Sequence, residues 1–407
     1  MFLVYMFSVS SINFLYIPIF IIYMDLKIMF LLLTGDCNSR CSYCYMHRNK
    51  FKIGTMTFKR AKKAVDFFIK YSNKENNLTI FYIGGEPLLY FDLIKKTTIY
   101  AINKGKELNK KFKFIISSNM SLLDKEKIEF FINNNFNINV NYDGTYELVE
   151  KFKGKKIGKQ IFKNIQEGIK FNLNMCLRIT ITPSFTNMVS MLKSLINIKA
   201  KKANFILEYG NKLPFNIDNI KRQYIKLSNE YVSYFKNFDF KSKQSPLIIT
   251  PFFYDIQLDV LKQSPNLFSC AAAYDKICVI PNGKVLPCPH VEYWDDSWIM
   301  GDIEKNELNR NIQKKMGINS YENKKSDKEC VNCSYFNKCQ QSCLGLNYDS
   351  NKDVSIFDKS RCELEKIRID ASLNIIQKQL IEKDKNIYFL RYLLSLNQAN
   401  IIHVCDI

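Results

Sequence analysis

The chain contains the segment IMFLLLTGDCNSRCSYC at residues 28–44, in which an apolar run leads directly into three closely spaced cysteines. The run is rich in Ile, Phe and Leu, which is typical of a buried β-strand. Cys37, Cys41 and Cys44 follow it with the spacing C-x3-C-x2-C. Three thiolates on one loop can hold three irons of a four-iron cluster and leave the fourth iron open to a substrate. The alternative is a structural zinc site, for which His47 is close enough in sequence to be a fourth ligand.

Beyond this segment, short apolar runs alternate with longer amphipathic ones. Strands are predicted at residues 28–34, 78–83, 112–117, 136–141, 173–180 and 203–208, with helices at 57–71, 91–108, 124–133, 160–170 and 187–198. Strands that alternate with helices indicate a parallel sheet with right-handed crossovers. We therefore expect an α/β fold that begins with a partial (β/α)6 TIM-like barrel, with its functional loops at the carboxyl ends of the strands.

Cysteine is abundant in this chain, at 13 of 407 residues, and eight of the cysteines lie between Cys270 and Cys362. A chain of this length can bury a substantial core without disulfide staples. Clustered thiols in a reducing compartment favour metal binding instead. The metal-binding interpretation is therefore preferred to a disulfide framework.

The formal net charge is +20, and it comes largely from lysines that are spread along the chain in pairs. No nucleic-acid-binding motif accompanies this charge, so we expect no nucleic-acid partner. A solvated basic surface that favours acidic partners is the preferred interpretation.

The segment from Cys37 to Cys44 resembles the signature of the radical S-adenosylmethionine (SAM) superfamily. That family has C-x3-C-x2-C after the first strand of a partial barrel, and Tyr43 occupies its usual aromatic position before the third cysteine. Gly84, Gly85, Glu86 and Pro87 match the family's GGEP segment after the second strand, where the carboxylate meets the amino group of SAM. The resemblance implies a SAM-binding [4Fe-4S] cluster on the three cysteines.

The resemblance extends to two further strand ends, and it implies SAM contacts from Ser118, Asn119 and Asn141. Arg178, a charge within the otherwise apolar fifth strand, is a candidate for binding the SAM carboxylate. Met120 replaces a glycine that is usual in the family, and Lys153 stands where related sequences often have arginine. For Arg178 the alternative is an arginine that is satisfied by carboxylates of the barrel.

Seven cysteines in the last third of the chain resemble those of the SPASM domain, which follows the radical SAM barrel in enzymes that modify peptides and proteins. The resemblance implies two auxiliary [4Fe-4S] clusters, one held by Cys330, Cys333, Cys339 and Cys362 and the other by Cys270, Cys288 and Cys343. Cys278 is a candidate fourth ligand of the latter, although strand alternation makes a buried thiol a serious alternative. A zinc ribbon would account only for residues 330–343.

Five segments are expected along the chain. They are an apolar N-terminal extension (1–23), the partial barrel (24–210), a helical connector (211–268), a small cysteine-rich α+β SPASM domain (269–365) and a C-terminal helical tail (366–407). We interpret the extension as a start-site artefact, with Met24 and Met29 as alternative starts, and keep a membrane anchor as the alternative.

The resemblance implies an enzyme in which the first cluster passes one electron to SAM. Cleavage of SAM then yields a 5′-deoxyadenosyl radical that removes a hydrogen atom from a substrate. The expected substrate is a ribosomally synthesised peptide, modified with a thioether or carbon–carbon cross-link. The alternative is an anaerobic sulfatase maturase that forms formylglycine, but that family typically has an aspartate directly after the second SPASM cysteine, where this chain has Cys288-Pro289-His290. A non-catalytic basic metal-binding protein is the alternative from another class.

The same resemblance implies protein partners in the cytoplasm. A flavodoxin or ferredoxin is expected as the reductant, and a precursor peptide or protein as the substrate. The stretch before the first strand offers about 25 residues, fewer than a leader-binding domain needs. Leader recognition is therefore expected from a separate leader-recognition protein or from the SPASM region and the basic surface. The sequence does not point to a catalytic acid or base.

Overall fold

The computed structural model describes residues 25–44, 46, 53–184, 186–208, 215–242, 244–263, 272–291, 295–312, 316, 327–339 and 343–396. The apolar extension predicted at residues 1–23, the zinc candidate His47 and the auxiliary cysteine Cys270 lie outside these ranges. In the described part of the chain, no helix combines the length and the apolar character that crossing a membrane requires.

Strands and helices alternate in the described residues between Ile28 and Leu207. The strands are β1 (Ile28–Leu32), β2 (Asn77–Ile83), β3 (Lys111–Ser118), β4 (Asn137–Asn141), β5 (Asn174–Ile181) and β6 (Lys202–Leu207). The helices are α1 (Phe58–Lys70), α2 (Phe91–Glu107), α3 (Lys125–Asn133), α4 (Tyr146–Lys153), α5 (Lys155–Lys170) and α6 (Met188–Asn197). The α/β fold and all six predicted strands are confirmed. Helix α4 was not predicted; its start is capped by the Thr145 hydroxyl, which accepts a hydrogen bond from the Leu148 backbone N–H.

The connector predicted at residues 211–268 contains a short strand as well as helices. Helices α7 (Ile217–Lys236) and α8 (Thr250–Val260) flank a short strand, β7 (Ile248–Ile249). Strand β7 pairs parallel to β6, with Ile248 opposite Lys202 and Ile249 opposite Ala203. Both isoleucines are buried, so their side chains complete the sheet edge as β-branched residues commonly do.

The cysteine-rich part joins the same sheet at its other edge. Strand β8 (Lys276–Val279) pairs parallel to β1, and β9 (Lys284–Leu286), β10 (Gly301–Asp302) and β11 (Glu307–Leu308) follow it antiparallel. The order of the sheet is β11-β10-β9-β8-β1-β2-β3-β4-β5-β6-β7. The open parallel part of this sheet is compatible with the expected partial barrel.

The two faces of the strands differ in chemistry. On β4, Ile138 and Val140 belong to the large apolar core, so Asn137, Asn139 and Asn141 face the opposite side. That opposite side is apolar on β1, where Ile28, Phe30 and Leu32 pack in a second, smaller cluster. The inner face of the sheet is therefore apolar near β1 and polar from β4 onward.

The described C-terminal residues are largely helical. It contains α9 (Lys328–Val331), α10 (Leu344–Asn351), α11 (Lys359–Asp370), a π-helix (Ala371–Lys383) and α12 (Ile387–Ser395). The buried Arg368 of α11 forms an ion pair with the buried Asp255 of α8. This ion pair links the C-terminal tail to the connector.

Candidate active site

The three cysteines of the first motif lie on the loop that follows β1, residues 33–44, which we call the cluster loop. All three thiols are half-buried. The Ser39 backbone N–H donates to Cys37 Sγ over 3.4 Å. Burial raises the pKa of the Cys37 thiol to about 12, and the charges of Glu86, Cys41 and Cys44 add to this effect. Without a positive partner, the ionised form of these buried thiols is unfavourable. A cationic iron cluster bound by all three thiolates would supply that positive charge.

A single-ion site is not formed by these residues. Within the described ranges, no three His, Cys, Asp or Glu side chains are grouped closely enough to hold one metal ion. The thiols that hold a four-iron cluster stand further apart than the ligands of one zinc ion. The zinc alternative also needs His47, which lies outside these ranges.

The two glycines after β2 allow the backbone to lie against the cluster loop. Gly85 N–H donates to the Thr34 carbonyl over 2.8 Å, and Glu86 N–H donates to the Asp36 carbonyl over 2.8 Å. A Cβ on Gly84 would lie 2.5 Å from the Thr34 oxygen, and a Cβ on Gly85 would overlap the Asp36 carbonyl. Glycine is required here because any side chain would push the two segments apart.

The carboxylate of Glu86 is completely buried at the start of the short 3-10 turn Pro87–Tyr90. It accepts hydrogen bonds from the Leu88 N–H (3.0 Å), the Ser118 hydroxyl (2.7 Å) and the Asn119 N–H (2.8 Å). In the described part of the chain all these donors are neutral, and burial raises the pKa of Glu86. A buried carboxylate without a cation fits the ammonium group that the resemblance assigns to it.

The end of β3 supports the cluster loop directly. The Asn119 amide donates to Asn38 Oδ1 (3.0 Å) and to Ser39 Oγ (3.3 Å), and the Asn38 amide donates to Ser121 Oγ (2.8 Å). Met120, which replaces the usual glycine, has a left-handed backbone with φ +62°. Its side chain is completely buried, and this burial offsets a backbone cost of about 1–2 kcal/mol.

A buried group of three polar side chains joins the cluster loop to the end of β4. Lys153 forms an ion pair with Asp143, and the Tyr43 hydroxyl donates to the other oxygen of the same carboxylate. Lys153 Nζ also donates to the Tyr43 oxygen over 3.0 Å. Phe152 packs edge-on against the Tyr43 ring, with centroids 5.2 Å apart. Asp143 was not among the predicted site residues, although the Asp143-Gly144 pair directly after β4 could have identified it.

Opposing effects act on the ionisation of this group. Burial lowers the pKa of Lys153, and the charges of Cys41, Cys37 and Cys44 oppose that shift. Burial also raises the pKa of Tyr43 well above its ordinary value. Lys153 is thus a buried cation within electrostatic reach of all three cysteines of the cluster loop.

Asn141 of β4 is paired with Arg178 of β5, and Arg178 is in turn paired with Asn204 of β6. The Arg178 side chain lies within electrostatic reach of His290, two residues after Cys288. Burial lowers the pKa of His290. The charge of Asp349 opposes this shift, and the charge of Arg178 adds to it. The contact of Arg178 with SAM stays a prediction.

Four of the distal cysteines influence the same titrating groups, and their shared ligation of a cluster stays a prediction. Burial raises the pKa of Cys330 to about 11, and the charges of Cys362 and Cys339 contribute. Cys333 and Cys362 both act on Lys366. These four thiols therefore share one neighbourhood around α9 and α11.

The other auxiliary cysteines lie where α10 meets the turn that contains His290. Cys343 immediately precedes α10. A Cβ added to Gly345 would be 3.5 Å from Cys343 Sγ and 3.3 Å from the His290 Cβ. Cys288 and Cys343 thus belong to adjoining segments.

Cys278 lies in the interior of β8. It is completely buried, opposite Phe30 of β1 and Leu286 of β9. With Phe30, Leu32 and Ile280 it belongs to the smaller apolar cluster, whereas Ile277 and Val279 belong to the large core. The predicted alternation of this strand is present, and the choice between a buried thiol and a cluster ligand stays a prediction.

Two family models match the chain, and they cover different parts of it. The model of the radical SAM superfamily matches residues 31–194, and that of the SPASM iron–sulfur cluster-binding domain matches residues 270–335. Together they span more than half of the chain.

Two curated relatives align over most of the chain. The radical SAM cyclopropyl synthase TigE of Paramaledivibacter caminithermalis is 22% identical over 391 residues, which cover 89% of this chain and 76% of that protein. A cysteine-type anaerobic sulfatase-maturating enzyme of Clostridium novyi is 25% identical over 346 residues, which cover 81% of this chain and 90% of that enzyme.

Solved structures share the fold. The AdoMet-bound enzyme anSMEcpe superposes with a TM-score of 0.72 at 20% identity, over 90% of this chain and 98% of that one. SuiB of Streptococcus suis superposes with a TM-score of 0.55 at 15% identity, over 83% and 77% of the two chains. The two family matches show that the chain is an enzyme of the radical SAM superfamily that carries a SPASM domain and uses SAM and auxiliary iron–sulfur clusters.

Proposed function

We propose that this enzyme is a maturase that installs a thioether or a carbon–carbon cross-link in a ribosomally synthesised peptide. The observation that carries the proposal is the segment after Cys288. Sulfatase maturases typically have an aspartate there, whereas this chain has Pro289, which begins the 3-10 turn Pro289–Val291. Proline offers neither a carboxylate nor a backbone N–H for substrate chemistry.

The relatives give additional support. The cyclopropyl synthase aligns over 89% of this chain, and its name describes the formation of a carbon ring. An enzyme of related organisation can therefore join carbon atoms with the same cofactors.

Three [4Fe-4S] clusters are proposed. The ligands are Cys37, Cys41 and Cys44 for the SAM-binding cluster, Cys330, Cys333, Cys339 and Cys362 for one auxiliary cluster, and Cys270, Cys288 and Cys343 for the other. When bound, SAM and the first cluster supply a one-electron cleavage that generates a radical able to remove a hydrogen atom from a substrate C–H bond.

The residues of the chain bind and orient these groups. Glu86 accepts the ammonium of SAM with a carboxylate already fixed by three hydrogen bonds. Asn119 holds the cluster loop through Asn38 and Ser39. Because the donors and acceptors are positioned before SAM arrives, binding requires little reorganisation.

Anaerobic sulfatase maturation is the second candidate. It is favoured by the superposition on anSMEcpe, which covers 98% of that chain. In that case the substrate is a sulfatase whose Cys or Ser is oxidised to formylglycine.

The proposed partners are a flavodoxin or ferredoxin reductant, the precursor peptide and a separate leader-recognition protein, all in the cytoplasm. A reducing compartment keeps the thiols available for iron.

The test uses full-length enzyme, purified and reconstituted without oxygen, and two peptides. One is a synthetic cysteine-rich precursor peptide, and the other is a sulfatase segment with the cysteine that becomes formylglycine. We expect the first peptide to lose two hydrogen atoms per cross-link and to retain its sulfur. Replacement of sulfur by oxygen in the second peptide, with the first unchanged, would reverse the assignment. The Cys41→Ala variant is the inactive control.

A further inference from the structure

Residues 151–166 contain six lysines and no carboxylate. Lys155, Lys156, Lys159 and Lys163 of α5 are all exposed. Spacings of three and four residues place them on one side of the helix. In the described part of the chain none of the four has an ion-pair partner, whereas lysines of other helices do, such as Lys95 with Glu126. We call these four residues the α5 lysine face.

Helix α5 also has an inner side, and its contacts lead to the cluster loop. The amide of Asn164 donates to the carbonyls of Met120 (2.7 Å) and Ser121 (3.2 Å). The hydroxyl of Ser121 in turn accepts a hydrogen bond from Asn38 of the cluster loop. The helix therefore braces the segment that supports the cluster loop.

The start of α5 provides a second connection. Only Gly154 separates α5 from Lys153, whose Nζ bonds the hydroxyl of Tyr43, between the second and third cysteines of the loop. A helix with its side chains is about 10–12 Å across. A protein seated on the α5 lysine face would thus be separated by about one helix diameter from the residues that hold the cluster loop.

We propose that the α5 lysine face is the docking surface for an acidic one-electron carrier protein of the flavodoxin or ferredoxin kind. The carrier loses one electron and the cluster on Cys37, Cys41 and Cys44 gains it; no covalent bond forms or breaks. The proposal rests on the proposed ligand set of that cluster. The four positive charges of this face attract an acidic surface and increase its rate of association. The hydrogen bonds of α5 to Met120 and Ser121 place the helix next to the segment that supports the cluster to be reduced.

The test compares two triple variants of the full-length, iron-loaded enzyme. The first is Lys156→Glu, Lys159→Glu, Lys163→Glu. The matched control is Lys221→Glu, Arg222→Glu, Lys226→Glu on α7, where three exposed cations undergo the same charge change. SAM cleavage is measured without peptide, driven either by a reduced acidic flavodoxin at limiting concentration or by dithionite.

We expect the α5 variant to need about tenfold or more flavodoxin for half-maximal rate, with an unchanged dithionite rate and little remaining salt dependence. The α7 control should behave as wild type and lose activity as salt is added. An equal loss in both variants would show a general charge effect and overturn the assignment.

A neutral variant guards against a folding defect. In Lys156→Gln, Lys159→Gln, Lys163→Gln, a weaker flavodoxin response with a normal dithionite rate supports docking, and a loss of both rates overturns it. A normal flavodoxin response with weaker binding of the precursor peptide would assign the face to an acidic leader instead. Wild-type enzyme that takes up no iron would contradict the proposed function itself, which separates that failure from a failure of docking.

Discussion

Lys153 and Asp143 form an ion pair inside the protein, with side chains that are 2% and 0% exposed. Both also bond the hydroxyl of Tyr43, so the pair closes a ring of three side chains against the cluster loop. Asp143 has a left-handed backbone with φ +66°, followed by Gly144 with φ +100°. A backbone that is held in this conformation aims the carboxylate inward, where its charge and that of Lys153 lie beside the thiols.

Removing either partner should shift the midpoint potential of the SAM-binding cluster, in opposite directions. Lys153→Met leaves a carboxylate beside a cluster that must accept an electron, so the potential should fall. Asp143→Asn leaves an ammonium there, so the potential should rise. A redox titration monitored by electron paramagnetic resonance, using the signal that changes on adding SAM, measures both shifts.

The double variant and an exposed lysine are the controls for this prediction. Lys153→Met combined with Asp143→Asn should return the potential close to the wild-type value, and Lys151→Met on the same helix should leave it unchanged, because Lys151 is exposed. Shifts of the same sign in both single variants would indicate a distorted loop rather than a charge effect.

The carboxylate of Glu86 should determine the affinity for SAM. Glu86→Gln keeps a side chain of nearly the same shape but removes the charge that faces an ammonium. Hydrogen bonds to charged groups contribute about 1.5–3 kcal/mol, so we expect SAM to bind roughly ten- to a hundredfold more weakly. Equilibrium binding to the reconstituted enzyme measures this.

The same variant should change the stability of the SAM-free protein in the other direction. Burial raises the pKa of Glu86 above its ordinary value, so its contribution to stability is present below the ordinary pKa and is lost as pH rises through the higher one. At neutral pH, SAM-free Glu86→Gln should therefore be more stable than wild type. Unchanged SAM affinity with normal iron content would disprove the role of Glu86.

The close approach at Gly85 should be essential for the first cluster. A methyl group there would overlap the Asp36 carbonyl, so Gly85→Ala must displace the cluster loop. We expect iron content to fall by the amount lost in Cys37→Ala while the auxiliary clusters remain. Full iron occupancy in Gly85→Ala would show that the loop tolerates the displacement.

The sequence predicted those parts of the fold that depend on local pattern. Apart from α4, the strands and helices up to residue 208 follow from hydrophobic periodicity. The side chains of Thr57 and Asp124 cap the helices that follow them. The pairing of β8 with β1 was not predicted, because nothing in either strand specifies a partner more than 240 residues away. Asp143 was missed for a similar reason: its partners Tyr43 and Lys153 come together only when β4 and the cluster loop meet.

The ion pair between Arg368 and Asp255 should stabilise the junction of the tail and the connector. Arg368→Met leaves Asp255 buried without a cation, at a cost of about 3–5 kcal/mol. Denaturant unfolding measures this, and Asp255→Asn with Arg368→Met should recover most of the loss. A double variant as unstable as Arg368→Met alone would place the cost in lost packing.

The pH dependence of that pair has a definite sign. Burial raises the pKa of Asp255 from 3.8 to about 6, and Arg368 opposes the shift. The folded state therefore binds the proton of the Asp255 carboxyl group more tightly than the unfolded state does. The contribution of this group to the free energy of unfolding is present below pH 3.8 and is lost as pH rises to about 6. Comparison of wild type with Asp255→Asn across this range should show the difference in slope.

Cys278 should be dispensable for iron binding, although it lies in a region dense with ligands. Its thiol is completely buried between Phe30 and Leu286, in an apolar cluster that offers a small hydrophobic side chain a suitable environment. Cys278→Ala removes one buried atom, so we expect a loss of about 1 kcal/mol in the free energy of unfolding and unchanged iron and sulfide content. Cys343→Ala is the matched comparison and should lose the iron of one auxiliary cluster. Equal losses of iron in the two variants would identify Cys278 as the fourth ligand and require the β8 strand to open around the cluster.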